Sequence, residues 1–214
     1  RLLGELEGHK YTVWGLVLHG DSLYSASADG HILSWDARTL QLRQGPGVMG
    51  HPSKIYCLAS HGSFLLSGSE DRTIRVWDLR SSGHQPVATL QGHTRSVWAL
   101  RDAPSLGEGS FVSGGKCGNV NIWDSRTGRA RLTMNYQQQE ALSCDASPDG
   151  HHVFAGSSSS RVYCFDATTG EMKHTLQGHQ WEVWQLDTLS VAPKPLLASG
   201  SYDHTIGLWE TKAP

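Results

Sequence analysis

Residues 50–78 read GHPSKIYCLASHGSFLLSGSEDRTIRVWD, and the fold turns on this stretch. It divides into short β-rich runs, Ile55-Tyr56-Cys57-Leu58, Phe64-Leu65-Leu66 and Ile74-Arg75-Val76-Trp77. Between them lie the polar turns His61-Gly62-Ser63 and Glu70-Asp71-Arg72-Thr73. From Ile74 to Trp77 the side chains alternate with the period of two that a half-buried strand requires. No segment of the chain offers a helix of useful length. A fourth, more polar strand fits before the next Gly-His pair, as in Thr89-Leu90-Gln91 and again in Thr175-Leu176-Gln177. In the first connection Gly45-Pro46-Gly47 interrupts that strand, which only a sheet edge tolerates.

The same pattern recurs along the chain. Gly-His pairs stand at Gly8-His9, Gly50-His51, Gly92-His93 and Gly178-His179, with histidine spacings of 42, 42 and 86. A second marker follows each unit: Trp35-Asp36, Trp77-Asp78, Trp123-Asp124, Phe165-Asp166 and Trp209-Glu210, spaced by 42, 46, 42 and 44. There are therefore five units, the fourth without its Gly-His: approximately 1–42, 43–84, 85–128, 129–170 and 171–214. A period of 40–45 residues means that each unit is one supersecondary element, stable only when stacked on its neighbours.

Composition narrows the function. The 214 residues are 38% hydrophobic and 18% charged, with a formal net charge of −2. That balance argues against a disordered tail and against an electrostatic grip on nucleic acid or anionic lipid. No run of 18 apolar residues exists to span a bilayer, and no signal peptide opens the chain. The first residue is Arg, which reads as a processed or trimmed piece. Cys57, Cys117, Cys144 and Cys164 show no zinc spacing, so they read as free, mostly buried thiols of a cytoplasmic or nuclear protein. The unusual figure is eight tryptophans.

On the Gly-His pairs, the Trp-Asp pairs and the Asp turn six residues before each Trp, the chain resembles the WD-repeat β-propeller family over essentially its whole length. The resemblance implies an all-β fold of five four-stranded blades. Leu2-Leu3-Gly4-Glu5-Leu6 would be an outer strand that completes the last blade of a closed five-blade ring; the alternative is a piece of a larger propeller. The resemblance also implies a hydrogen-bonded His, Ser, Asp and Trp in each blade. These map to His9, Ser27, Asp29 and Trp35; to His51, Ser69, Asp71 and Trp77; and to His179, Ser201, Asp203 and Trp209. Repeat 3 has Gly115 and Cys117 in the Ser and Asp slots. Repeat 4 keeps Ser157 but has Gln137, Ser159 and Phe165 in the other three. These two repeats are expected to rest on apolar packing and to be the softer ones.

A His-Asp-Ser trio that recurs in every unit, with no nucleophile elbow, reads as structure rather than as a hydrolase. His151-His152 follows the Asp149-Gly150 turn and could offer a metal two ligands, although adjacent histidines on a solvated hairpin are usually bland. No cofactor and no metal is expected.

Family positions that face partners map to three sets. Five residues after the His stand Trp14, Tyr56, Trp98 and Trp184, with Leu142 in repeat 4. Three residues after it stand Thr12, Lys54, Ser96 and Glu182. Before the turn Asp stand Ala28, Glu70 and Tyr202, with Lys116 and Ser158 in the degenerate repeats. The bland alternative is that the aromatic of each Val-Trp pair fills the core. The functional one is an aromatic anchor surface for a protein or peptide, with Val13, Val97 and Val183 turned inward instead. On the opposite face, Leu65 to Arg80 looks like the box by which some family members dock the adaptor of a cullin-RING ubiquitin ligase. Asp78 and Arg80 would carry that contact, with Arg38 as a second copy. The bland alternative is a local ion pair. The expectation is thus a non-catalytic interaction module, or alternatively a ligase substrate receptor.

Overall fold

The computed structural model describes residues 4–43, 49–81, 85–135, 139–190 and 196–210. Apart from one 3-10 turn, Pro104–Leu106, the regular structure among them is all β. The first sheet holds β1 (Val13–His19), β2 (Ser22–Ser27), β3 (His31–Asp36) and β4 (Met49–Gly50). The second holds β5 (Ile55–His61), β6 (Phe64–Ser69), β7 (Ile74–Asp78) and β8 (Ala88–Leu90). The third holds β9 (Val97–Asp102), β10 (Ser110–Gly115), β11 (Asn119–Asp124) and β12 (Arg129–Asn135). The fourth holds β13 (Ala141–Ala146), β14 (His152–Ser157), β15 (Arg161–Asp166) and β16 (Met172–Gln177). The fifth holds β17 (Val183–Leu189), β18 (Leu196–Ser201) and, as its last strand among the described residues, β19 (Ile206–Glu210).

Each sheet is an antiparallel meander in chain order. The outer strand pairs with the third strand before it, as Ile74 does with Leu90, so a sheet ends near the Gly-His that opens the next unit. Gly4-Glu5-Leu6 forms no strand, and Leu2, Leu3, Gly45-Pro46-Gly47 and Gln137 lie outside the described residues.

The chain divides into two compact units, one ending at Val97 and one beginning at Trp98. In the first, Tyr24, Ala26 and Ile32 pack with Ile55, Leu58 and Leu65. In the second, Val112, Ile122 and Met134 pack with Ala141, Val153 and Phe165, while Phe154 and Val162 pack with Val183 and Leu197. Strands β10, β13 and β14 are buried along their whole length. Repeats 3 and 4 share an apolar core, as repeats 1 and 2 do.

Small residues let neighbouring sheets approach. A Cβ on Gly156 would lie 2.8 Å from the Val183 carbonyl, so β14 needs glycine there. All four cysteines are free thiols, with Cys57, Cys144 and Cys164 buried. No helix of the described residues is long and apolar enough to cross a membrane.

Candidate functional site

The polar set of repeats 1, 2 and 5 involves a different serine from the one expected. Trp35 Nε1 donates to Ser25 Oγ at 2.7 Å, Ser25 Oγ lies 2.7 Å from His9 Nε2, and His9 Nδ1 lies 3.0 Å from Asp29 Oδ2. Ser67 and Ser199 stand in the same place between Trp77 and His51 and between Trp209 and His179. The register explains this. Trp35 is paired with Leu23, so Ser25 is one diagonal step from the indole. Ser27 is two steps away, roughly 13 Å along the strand. Ser27, Ser69 and Ser201 instead donate to the carbonyls of Tyr11, Lys54 and Trp181 and accept the amides of Asp29, Asp71 and Asp203.

The chain of donors assigns the histidine tautomer. The indole N–H goes to the serine oxygen, the serine hydroxyl to Nε2, and the remaining Nδ1–H to the aspartate. At Asp71 burial pushes the pKa up, but the His51 bond and the two bonds from Thr73 outweigh it and hold the carboxyl at about 2. At Asp203 the Thr205 hydroxyl leads in holding the carboxyl far below the usual range, against an opposing effect of burial.

Repeat 3 departs less than expected. Ser113 accepts from Trp123 Nε1 at 2.7 Å, so the Trp–Ser bond is kept, while the turn serine becomes Gly115 and the Asp becomes Cys117. His93 is buried there, and burial pushes its pKa down to about 4. Repeat 4 is rebuilt. Ala155 and Phe165 replace the Ser and Trp together, and Ser159 Oγ bonds the Tyr163 hydroxyl at 3.0 Å. His151 is exposed while His152 is buried against Phe154, so the two imidazoles do not converge.

Three of the four aromatic positions, Trp14, Tyr56 and Trp184, share a backbone device. Val13 pairs with Ser27 and Gly15 with Ala26, leaving Trp14 as the extra residue of a β-bulge. The same skip occurs at Tyr56, Leu142 and Trp184. A bulge re-aims the side chain it carries. Trp14 is 55% exposed and Trp184 45%, although Val97 and Val183 are fully buried. Val13 does not turn inward as expected and is also exposed. Leu142 is buried and leaves the aromatic surface.

The three family positions do come together. The amides of Ala28, Glu70 and Tyr202 bond the carbonyls of Thr12, Lys54 and Glu182. In the first unit Trp14 meets Tyr56 edge-on at 6.1 Å, the Tyr56 hydroxyl lies 3.4 Å from Glu70 Oε1, and Lys54 Nζ lies 3.9 Å from that same oxygen. In the second unit Trp98 stacks on Trp184 at 6.2 Å, and Trp184 meets Tyr202 at 6.4 Å. Lys116 Nζ lies 5.4 Å from the centre of the Trp98 ring and 3.7 Å from Glu140. Trp181, which the repeat pattern leaves unassigned, is exposed beside Glu182. Ser53, absent from the expected set, donates to Glu70 Oε2 at 2.7 Å.

Arg80 is held locally. Its Nε and an Nη donate to the two oxygens of Asp78, each at 2.9 Å, and the guanidinium lies over Phe64. The Arg38 guanidinium pairs with Asp21, while its backbone amide donates to Asp36.

Comparison with known proteins agrees with this architecture. The family described as WD domain, G-beta repeat matches residues 1–36, 45–78, 84–124 and 170–210. The chain belongs to that family, whose members are generally non-enzymatic scaffolds for protein interactions. The match passes over the rebuilt fourth repeat. Autophagy-related protein 16 of Arabidopsis thaliana is 28% identical over 102 residues, 48% of this chain and 20% of that protein. Nuclear distribution protein PAC1 of Coccidioides posadasii is 30% identical over 145 residues, 55% of this chain and 30% of the relative. WD repeat-containing protein VIP3 of Arabidopsis thaliana is 27% identical over 115 residues, 48% of this chain and 36% of the relative. The matches thus span between a fifth and about a third of these relatives' lengths.

Proposed function

We propose that this chain is a non-catalytic interaction module that anchors a protein or peptide partner on its clustered aromatic side chains. Trp14 and Tyr56 serve in one unit, and Trp98, Trp184 and Tyr202 in the other. The observation that carries the reading is the exposure of Trp14 and Trp184 at positions where the backbone leaves the sheet register. Buried aromatic anchors dominate binding energy when a partner covers them. Lys54, Glu70 and Glu182 set specificity at the rim, where charges steer and discriminate. A near-neutral chain with no strongly basic balance suits a protein partner better than nucleic acid or a membrane. We place it in the cytoplasm or nucleus as a module of a larger protein or complex.

Capture of partners on the immobilised chain tests this, with wild type beside Trp98→Ala and Trp184→Ala. Each variant is expected to lose about 2 kcal/mol, roughly thirtyfold in affinity, with an unchanged circular dichroism spectrum. Arg80→Ala is the control on the opposite signature; its bidentate partner is Asp78, and capture should persist. Equal capture by wild type and both tryptophan variants overturns the reading.

A further inference from the structure

Resting on that reading of the surface, we infer that Trp14, Tyr56 and Glu70 form a receptor for one basic side chain of the partner, a guanidinium or ammonium seated on the indole beside the carboxylate. The second unit holds a ring, a cation and a carboxylate in contact within the chain, from other repeat positions: Lys116 stands in the place of Glu70, and Glu140, whose carbonyl takes the Ser158 amide, in the place of Lys54. There Trp98 supplies the ring, Lys116 the cation and Glu140 the carboxylate. In the first unit the ring is Trp14 and the carboxylate is Glu70, with Tyr56 joining them. Among the described residues, no Lys or Arg of the chain lies over Trp14.

The carboxylate is prepared for a cation. Ser53, the strongest influence, donates to one oxygen and holds Glu70 below the usual carboxylate range, with Lys54 adding to the effect. Tyr56 donates to the other oxygen, and each carboxylate oxygen has a second lone pair for an incoming donor. Ring and carboxylate act on the same ligand: the ring face attracts a cation through its quadrupole, and the carboxylate attracts it through its charge. Lys54 competes, but an exposed lysine 3.9 Å from its partner is held weakly and yields to a bidentate guanidinium.

The test uses the chain as it stands and two capped pentapeptides, Gly-Ser-Arg-Ser-Gly and the same sequence with citrulline for arginine. Citrulline keeps the planar group and removes the charge. Binding is read from the Trp14 indole N–H resonance, assigned with Trp14→Phe. The arginine peptide is expected to bind about tenfold more tightly than the citrulline peptide. Glu70→Gln should bring the two within about twofold, Lys54→Met should tighten the arginine peptide, and Arg80→Ala, at a guanidinium already held by Asp78, should change neither. Equal binding of the two peptides overturns the inference, as does a preference that survives Glu70→Gln, or no shift at all up to millimolar peptide. In those cases partner capture that still depends on Trp98 and Trp184 leaves the broader reading standing. Loss of that dependence as well removes both.

Discussion

At the scale of single residues, the turn after each second strand imposes a backbone conformation that the sequence obeys only in part. The residue following the Asp slot is left-handed in every unit: Gly30, Arg72, Gly118, Ser160 and His204. Glycine takes that conformation without a steric penalty, and other L residues pay for it. Arg72→Gly is therefore expected to leave stability unchanged or raise it by up to about 1 kcal/mol. Gly30→Ala is expected to destabilise by more than about 1 kcal/mol, because the new Cβ also falls 2.8 Å from the His51 carbonyl. Denaturant midpoints of both variants decide; opposite signs in either would show that the turn does not set the cost. The partner positions follow a comparable rule. Their residue types were legible as repeats, but the direction of Trp14 was not. Alternation along a strand turns one of two neighbours inward, and it fails where a bulge inserts an extra residue, so Val13 and Trp14 are both exposed.

At the scale of elements, blades differ in what holds their turns. Asp71 accepts bonds from His51 Nδ1 and from the amide and hydroxyl of Thr73. Ser159 makes hydroxyl contacts with Ser157 and Tyr163. Asp71→Ala is expected to cost about 2 kcal/mol and Ser159→Ala about 1, since bonds to a charged acceptor are the stronger. Equal losses in urea denaturation would show that the polar set does not distinguish the blades. The Asp71 bonds also have a pH signature. Its folded pKa is depressed from 3.8 to about 2, so the stability it contributes is present above pH 4 and is lost as pH falls toward 2. Thermal unfolding of the wild type should soften across that window, and Asp71→Asn should flatten the dependence. The sequence made the set visible, since His, Asp and Trp recur in register. It misplaced the serine by one diagonal step, because strand spacing alone does not say which of Ser25 and Ser27 the indole reaches. The same step hid Ser113, and with it the completeness of the Trp–Ser bond in repeat 3.

At the scale of the whole molecule, the first and fifth sheets carry apolar residues that face water. Ile206 is 77% exposed, whereas Ile32, Ile74, Val120 and Val162, at the matching repeat position, are at most 2% exposed. Leu208 and, in the first sheet, Leu16 and Leu18 are likewise exposed. Apolar side chains gathered on a sheet face favour association. The chain is expected to show a weight-average mass that rises with concentration in sedimentation equilibrium. Replacing Ile206 and Leu208 by Glu should shift it toward the monomer; a concentration-independent mass in the wild type would count against this.

The sequence by itself determined the repeat, the all-β class and the four kinds of residue that hold repeats 1, 2 and 5. Those follow from periodicity and hydrogen-bonding chemistry, which are local. Only the tertiary structure decided which serine closes the polar set, which aromatics face water, and that Arg80 is held by Asp78. These depend on register, bulges and the packing of one sheet on the next, and such relations between distant segments are not written in the spacing of any one of them.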